Sequence, residues 1–70
     1  MDSNTAYVWK VARAYADAVG LDLRADGYET VLGDLLCDLH HLADEYGADW
    51  DEVLRRAAFH YESEIEEAIQ

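Results

Sequence analysis

Seventy residues with 16 acids, 5 bases, one cysteine and no proline carry a formal charge of −11. A single thiol excludes an intrachain disulfide and fits a reducing compartment, while no apolar run approaches the roughly 18 residues of a membrane span. A field of this sign repels nucleic acid and attracts basic surfaces.

A chain this short buries only about 60% of its unfolded surface. One domain over residues 1–70 is therefore expected, with self-association as a means of completing a small core. The charge is unevenly placed. Residues 1–20 hold Asp2 and Asp17 against Lys10 and Arg13, which cancel, and residues 21–70 hold the other 14 acids against Arg24, Arg55 and Arg56. Solubility or adaptation to high salt accounts for such acidity as readily as a binding role does.

The first helix is expected from about Thr5 to Val19, capped by Ser3 or Asn4 and stopped by Gly20. Val8, Val11, Ala12, Tyr15 and Val19 form its main apolar face, while Tyr7, Trp9, Ala14, Ala16 and Ala18 lie elsewhere. Only Lys10, Arg13 and Asp17 make a polar stripe. A helix apolar on most sides is buried in a larger core or covered by a second chain. Trp9 either joins such an interface or packs under the following loop, GLDLRA at 20–25, in which Leu21 and Leu23 should turn inward and Asp22 and Arg24 outward.

The central helix is expected over about residues 27–46, opened by Asp26 and Glu29 at capping-box spacing and closed by Gly47. Tyr28, Val31, Leu32, Leu35, Leu36, Leu39, Leu42, Ala43 and Tyr46 recur at three- and four-residue steps, as one continuous apolar face. Beside it, Asp34, Asp38, His41 and Glu45 fall in a narrow arc. Gly33 within the helix costs about 1 kcal/mol relative to Ala, which points to close packing or to an inherited motif position.

The third helix, about residues 50–68, repeats the capping-box spacing with Asp49 and Glu52. Trp50, Val53, Leu54, Ala57, Ala58, Tyr61, Ile65 and Ala68 follow the helical period, and Arg55 and Arg56 are the only bases. Glu62, Glu64, Glu66 and Glu67 oppose the macrodipole, so the last turn should fray. The expected architecture is all-α, a three-helix antiparallel bundle with homodimerisation available to complete it.

The stripe of Asp34, Asp38, His41 and Glu45 has the residue types of a hard-cation site, with Glu62 and Glu66 as a second source. Dimetal bundles, however, draw ligands from several facing helices, and a solvated acidic face is the commoner arrangement. His40 and His41 point about 100° apart and cannot share one metal on a regular helix. His60 reads as a boundary residue with a backbone or carboxylate partner. Cys37 lies off the apolar face among acids that disfavour its thiolate. No glycine-rich phosphate loop, nucleophile elbow or zinc pattern occurs. No catalytic residue, metal or cofactor is therefore expected.

From Gly33 to Glu62 the chain reads GDLLCDLHHLADEYGADWDEVLRRAAFHYE. This stretch resembles the later half of the MazG-type all-α nucleotide pyrophosphohydrolases. Gly33, Asp34, Leu35, Leu36, Leu42, Ala43, Gly47, Asp51, Glu52, Leu54, Arg55, Arg56, Ala57 and Tyr61 match that pattern in order. The resemblance implies a scaffold on which Mg²⁺ is held by paired glutamates of an earlier helix and by a Glu-x-x-Asp motif ending at Asp34. Here the glutamate of that motif falls at Val31, and the earlier helix, YVWKVARAYADAVG, has no glutamate. The alternative reading is therefore a MazG-like nucleotide pyrophosphohydrolase or its inactive relative, with only Asp34 carried over.

Asp34-Leu35-Leu36-x-Asp38-Leu39-x-His41, followed by Trp50-Asp51 and His60-Tyr61, also resembles small proteins of phages and mobile elements. Short acidic proteins from such elements include anti-CRISPR inhibitors and DNA mimics. That likeness implies a non-enzymatic inhibitor acting inside the host cytoplasm. Its partner would be a basic protein surface, most concretely a CRISPR effector subunit, with no direct nucleic acid and no membrane. The partner-binding residues would be Asp34, Asp38, His41, Asp44 and Glu45, with Glu62 and Glu66 from the acidic end of the third helix.

Overall fold

A computed structural model of the chain describes residues 3–69, and the side chains of residues 7–67. The chain is an all-α protein of three helices: α1 (Ser3–Val19), α2 (Tyr28–Glu45) and α3 (Trp50–Ile69), with no strand among the described residues. Contacts divide it into two compact units, Met1–Leu39 and His40–Gln70. The capping role expected of Ser3 or Asn4 falls on side chains outside the described set.

In the first unit, α1 ends because Gly20 turns left-handed, with φ at 78°. The Leu21 N–H then donates to the Ala16 carbonyl at 2.8 Å and the Gly20 N–H to the Asp17 carbonyl at 3.4 Å. This pair of bonds is a Schellman closure, which satisfies carbonyls that the last turn would leave unpaired. It also turns Leu21 back toward Ala16, and Leu21 packs half-buried against the core. The loop is tied by two aspartates. The Asp22 carboxylate accepts from the N–H groups of Arg24 and Ala25, and Asp26 accepts from the Asp22 N–H at 2.8 Å. Asp26 therefore closes the loop and does not cap α2. Gly27, with φ at 93°, stands in the capping position and gives its carbonyl to the Val31 N–H.

The core of this unit is Ala12, Ala16, Leu23 and Val31, with Tyr15 and Leu21 against it. Leu23 thus turns inward as expected, and Ala12 and Tyr15 of the expected α1 face meet the core. Ala16, placed outside that face, is buried as well, and the valines are not. Ala12 and Ala16 are enclosed, whereas Val8, Val11 and Val19 are about half exposed. Two alanines let α1 come close to α2, and β-branched side chains in the same places would hold the helices apart.

The second unit holds the end of α2 and all of α3. α2 closes as α1 does: Gly47 has φ at 71°, the Ala48 N–H donates to the Ala43 carbonyl and the Gly47 N–H to that of Asp44. Asp49 caps α3, its carboxylate accepting from Asp51 N–H at 3.0 Å and Glu52 N–H at 3.3 Å. Glu52 turns its own carboxylate to Arg55, in a two-pronged bond, and to Arg56 at 3.3 Å. His40 lies flat on Trp50, ring centroids 4.5 Å apart, and so joins the end of α2 to the start of α3. α3 stays helical through Ile69 despite its unfavourable terminal acids.

Most of the apolar face expected of α2 remains open. Val31 and Ala43 are buried, whereas Leu32, Leu36, Leu39 and Leu42 keep 41–52% of their surface. Gly33 is not a close-packing site, since a Cβ there would meet nothing within 4 Å. Gly33→Ala should raise stability by about 1 kcal/mol, read from urea unfolding; a loss would restore the packing role. Asp49→Ala should lower stability by about 1 kcal/mol through the lost cap, in the same assay.

Candidate partner-binding surface

α2 contains no lysine or arginine. Asp34, Asp38, His41, Asp44 and Glu45 are all exposed on it. Among the described residues no lysine or arginine is ion-paired with any of these four acids. Arg55 and Arg56 of α3 both pair with Glu52. Asp44 lies 3.9 Å from the His40 imidazole, a turn away. Glu62 and Glu66 are exposed on α3, one turn apart. Among the described residues no three histidine, cysteine or acidic side chains come together as a cation site.

Asp38 has a second role that its place in the stripe does not reveal. Its carboxylate accepts the phenol O–H of Tyr15, which reaches across from α1. The bond is possible because the Tyr15 ring packs against the core while its hydroxyl emerges at the edge. Spacing along the chain gives no sign of it, the two residues being 23 positions apart. The bond to Asp38 comes first among the causes that push the Tyr15 phenol up to about 12, followed by partial burial and the charges of Asp38, Asp34 and Cys37.

Trp9 shares a cavity with the loop residues Leu23 and Arg24 and is not packed under the loop. It remains 47% exposed and lines an open cavity of about 320 Å³ with Arg13, Leu23, Arg24 and their neighbours. Arg13 sits over the indole, 5.5 Å from its centroid. Asp22 at the cavity edge is held below the usual carboxylate range by the N–H groups of Ala25 and Arg24, aided by the charges of Arg13 and Arg24. Among the described residues His60 pairs with no carboxylate; it lies edge-on to Phe59 at 5.8 Å. Cys37 is exposed, as its place off the apolar face implies.

No helix among the described residues is long and apolar enough to cross a membrane. No protein family, curated protein or solved structure matches the chain.

The Tyr15–Asp38 bond predicts an alkaline transition. The folded phenol ionises above its ordinary value, so its contribution to stability is complete below pH 10 and is lost as pH rises through about 12. The ultraviolet titration of the wild type minus that of Tyr15→Phe should therefore show one phenol titrating near 12. A difference curve centred at 10 would dissolve the bond.

Proposed function

We propose that the chain is a non-enzymatic binding protein that presents the acids of α2 to a basic protein surface. The observation that carries this reading is that Asp34, Asp38, Asp44 and Glu45 are exposed on a helix without lysine or arginine, and no such base is paired with them among the described residues. Carboxylates so displayed compete with phosphate for the lysines and arginines of a nucleic-acid channel, and their field speeds the encounter. The most concrete partner is a basic subunit of a nucleic-acid-handling defence complex of the CRISPR type, and the chain would then be an inhibitor of phage or mobile-element origin. Glu62 and Glu66 are further exposed acids on α3, and His41 stands within the α2 stripe.

One feature weighs against the hydrolase alternative. Val31, where the MazG-type resemblance calls for a Mg²⁺-binding glutamate, has no exposed surface and sits in the cluster of Ala12, Ala16 and Leu23. A carboxylate at that place would be desolvated in an apolar core. The position serves packing.

Affinity capture from a host lysate at low and moderate salt tests the reading, with the captured proteins identified by mass spectrometry. A nucleic-acid-binding complex should be retained at low salt, released as salt rises, and displaced by added DNA. Asp34→Lys with Glu45→Lys should weaken capture about tenfold or more while leaving helicity unchanged; these two positions spare the Tyr15–Asp38 bond. Retention indifferent to salt and to both substitutions would reject an acidic interface.

A further inference from the structure

We propose that the cavity between α1 and the loop that follows it is a binding site for a free α-amino acid with an apolar side chain, held as its zwitterion. Trp9, Arg13 and Asp17 stand four residues apart on α1, and so lie one above another on a single face. The Schellman closure at Gly20 folds the chain back beside them and brings Leu23 and Arg24 into the same lining. The enclosed space is about 320 Å³. That is the small end of ligand cavities, which run from about 300 to 1,000 Å³.

The lining divides into an apolar part and charges of both signs. Ala16 and Leu23, both buried, and the half-exposed indole of Trp9 offer a surface to a hydrocarbon side chain. Arg13 and Arg24 make no ion pair among the described residues, although the chain has 16 acids to five bases. Their charges act on Asp22, whose carboxylate is already engaged by the N–H groups of Arg24 and Ala25. A guanidinium without an ion pair keeps its fork of donors for another carboxylate. Asp17 is exposed, and its side chain accepts no hydrogen bond among the described residues. It stands as the acceptor for an ammonium.

These charges select the class of ligand. A plain anion would have to approach a chain of charge −11. A plain cation would find the indole face taken, since Arg13 sits over it, 5.5 Å from the centroid. A zwitterion has no net charge and uses both signs. An α-amino acid carries its two charged groups on one carbon. They suit side chains a single helical turn apart, about 5–6 Å between Cβ atoms, as Arg13 and Asp17 are.

Calorimetric titration of the full chain with L-leucine tests this. The expected result is one site with a dissociation constant of about 1 mM or below. 4-Methylpentanoate lacks the ammonium, 3-methylbutylamine lacks the carboxylate and glycine lacks the side chain; each should bind at least about tenfold more weakly. Arg13→Gln should weaken leucine about tenfold. Asp17→Asn should do the same while leaving 4-methylpentanoate unchanged or tighter, a combination that a general loss of structure would not give. Absence of leucine binding on the order of 10 mM overturns the proposal. So does equal binding of the pentanoate or of the amine, which would make the cavity a simple anion or cation site. Leucine binding indifferent to both substitutions would place the ligand elsewhere and equally reject the site. The cavity shares no residue with the acids of α2, so this reading and that of a basic partner fail separately.

Discussion

Val31 is the one large side chain fully enclosed among the described residues, and the first unit depends on what α1 sets against it. Ala12 and Ala16 supply that contact, one turn apart, with Leu23 folding in from the loop. The arrangement is close but small. Alanine removes little apolar surface from water, and the hydrophobic driving force grows with area. A core of two alanines, a leucine and a valine therefore leaves the unit dependent on its turns. That dependence explains the density of backbone closure around it: the Schellman bonds at Gly20, and Asp22 and Asp26 tying the loop from both ends.

The second unit is held by different means. Asp49 satisfies the first N–H groups of α3, Glu52 gathers both arginines, and His40 stacks on Trp50. Among its described side chains only Ala43 is buried. Surface ion pairs of this kind contribute about 0–1 kcal/mol, so they orient α3 more than they anchor it. Apolar surface left open on α3 and on the middle of α2 is the natural counterpart of so little burial.

The acids stand apart from these apolar faces. On α2 they occupy the arc beside the leucines, so a chain of charge −11 can carry a greasy surface and an acidic one without mixing them. Tyr15 links the two, since its ring belongs to the core and its hydroxyl to Asp38. A change at Asp38 would thus disturb packing as well as charge, while Asp34 and Glu45 report on charge alone.

The sequence by itself determined the three helices, the closures of α1 and α2 and the cap of α3. Glycines at 20 and 47 and an aspartate at 49 act through local backbone geometry, which spacing reveals without knowledge of the fold. The inward turn of Leu21 and Leu23 and the exposure of the acidic stripe were legible for the same reason, as matters of period and polarity. Tertiary structure alone decided which apolar residues are covered. Val8, Val11 and Val19 look like core on a helical wheel, yet they stay about half exposed while Ala12, from the same face, and Ala16, from outside it, are enclosed, because close helix approach selects small side chains and periodicity does not weigh size. Asp26 accepts from the Asp22 N–H within the loop, and Tyr15 meets Asp38 across 23 positions. Such choices depend on competition between partners brought close by folding, and no local pattern encodes its outcome.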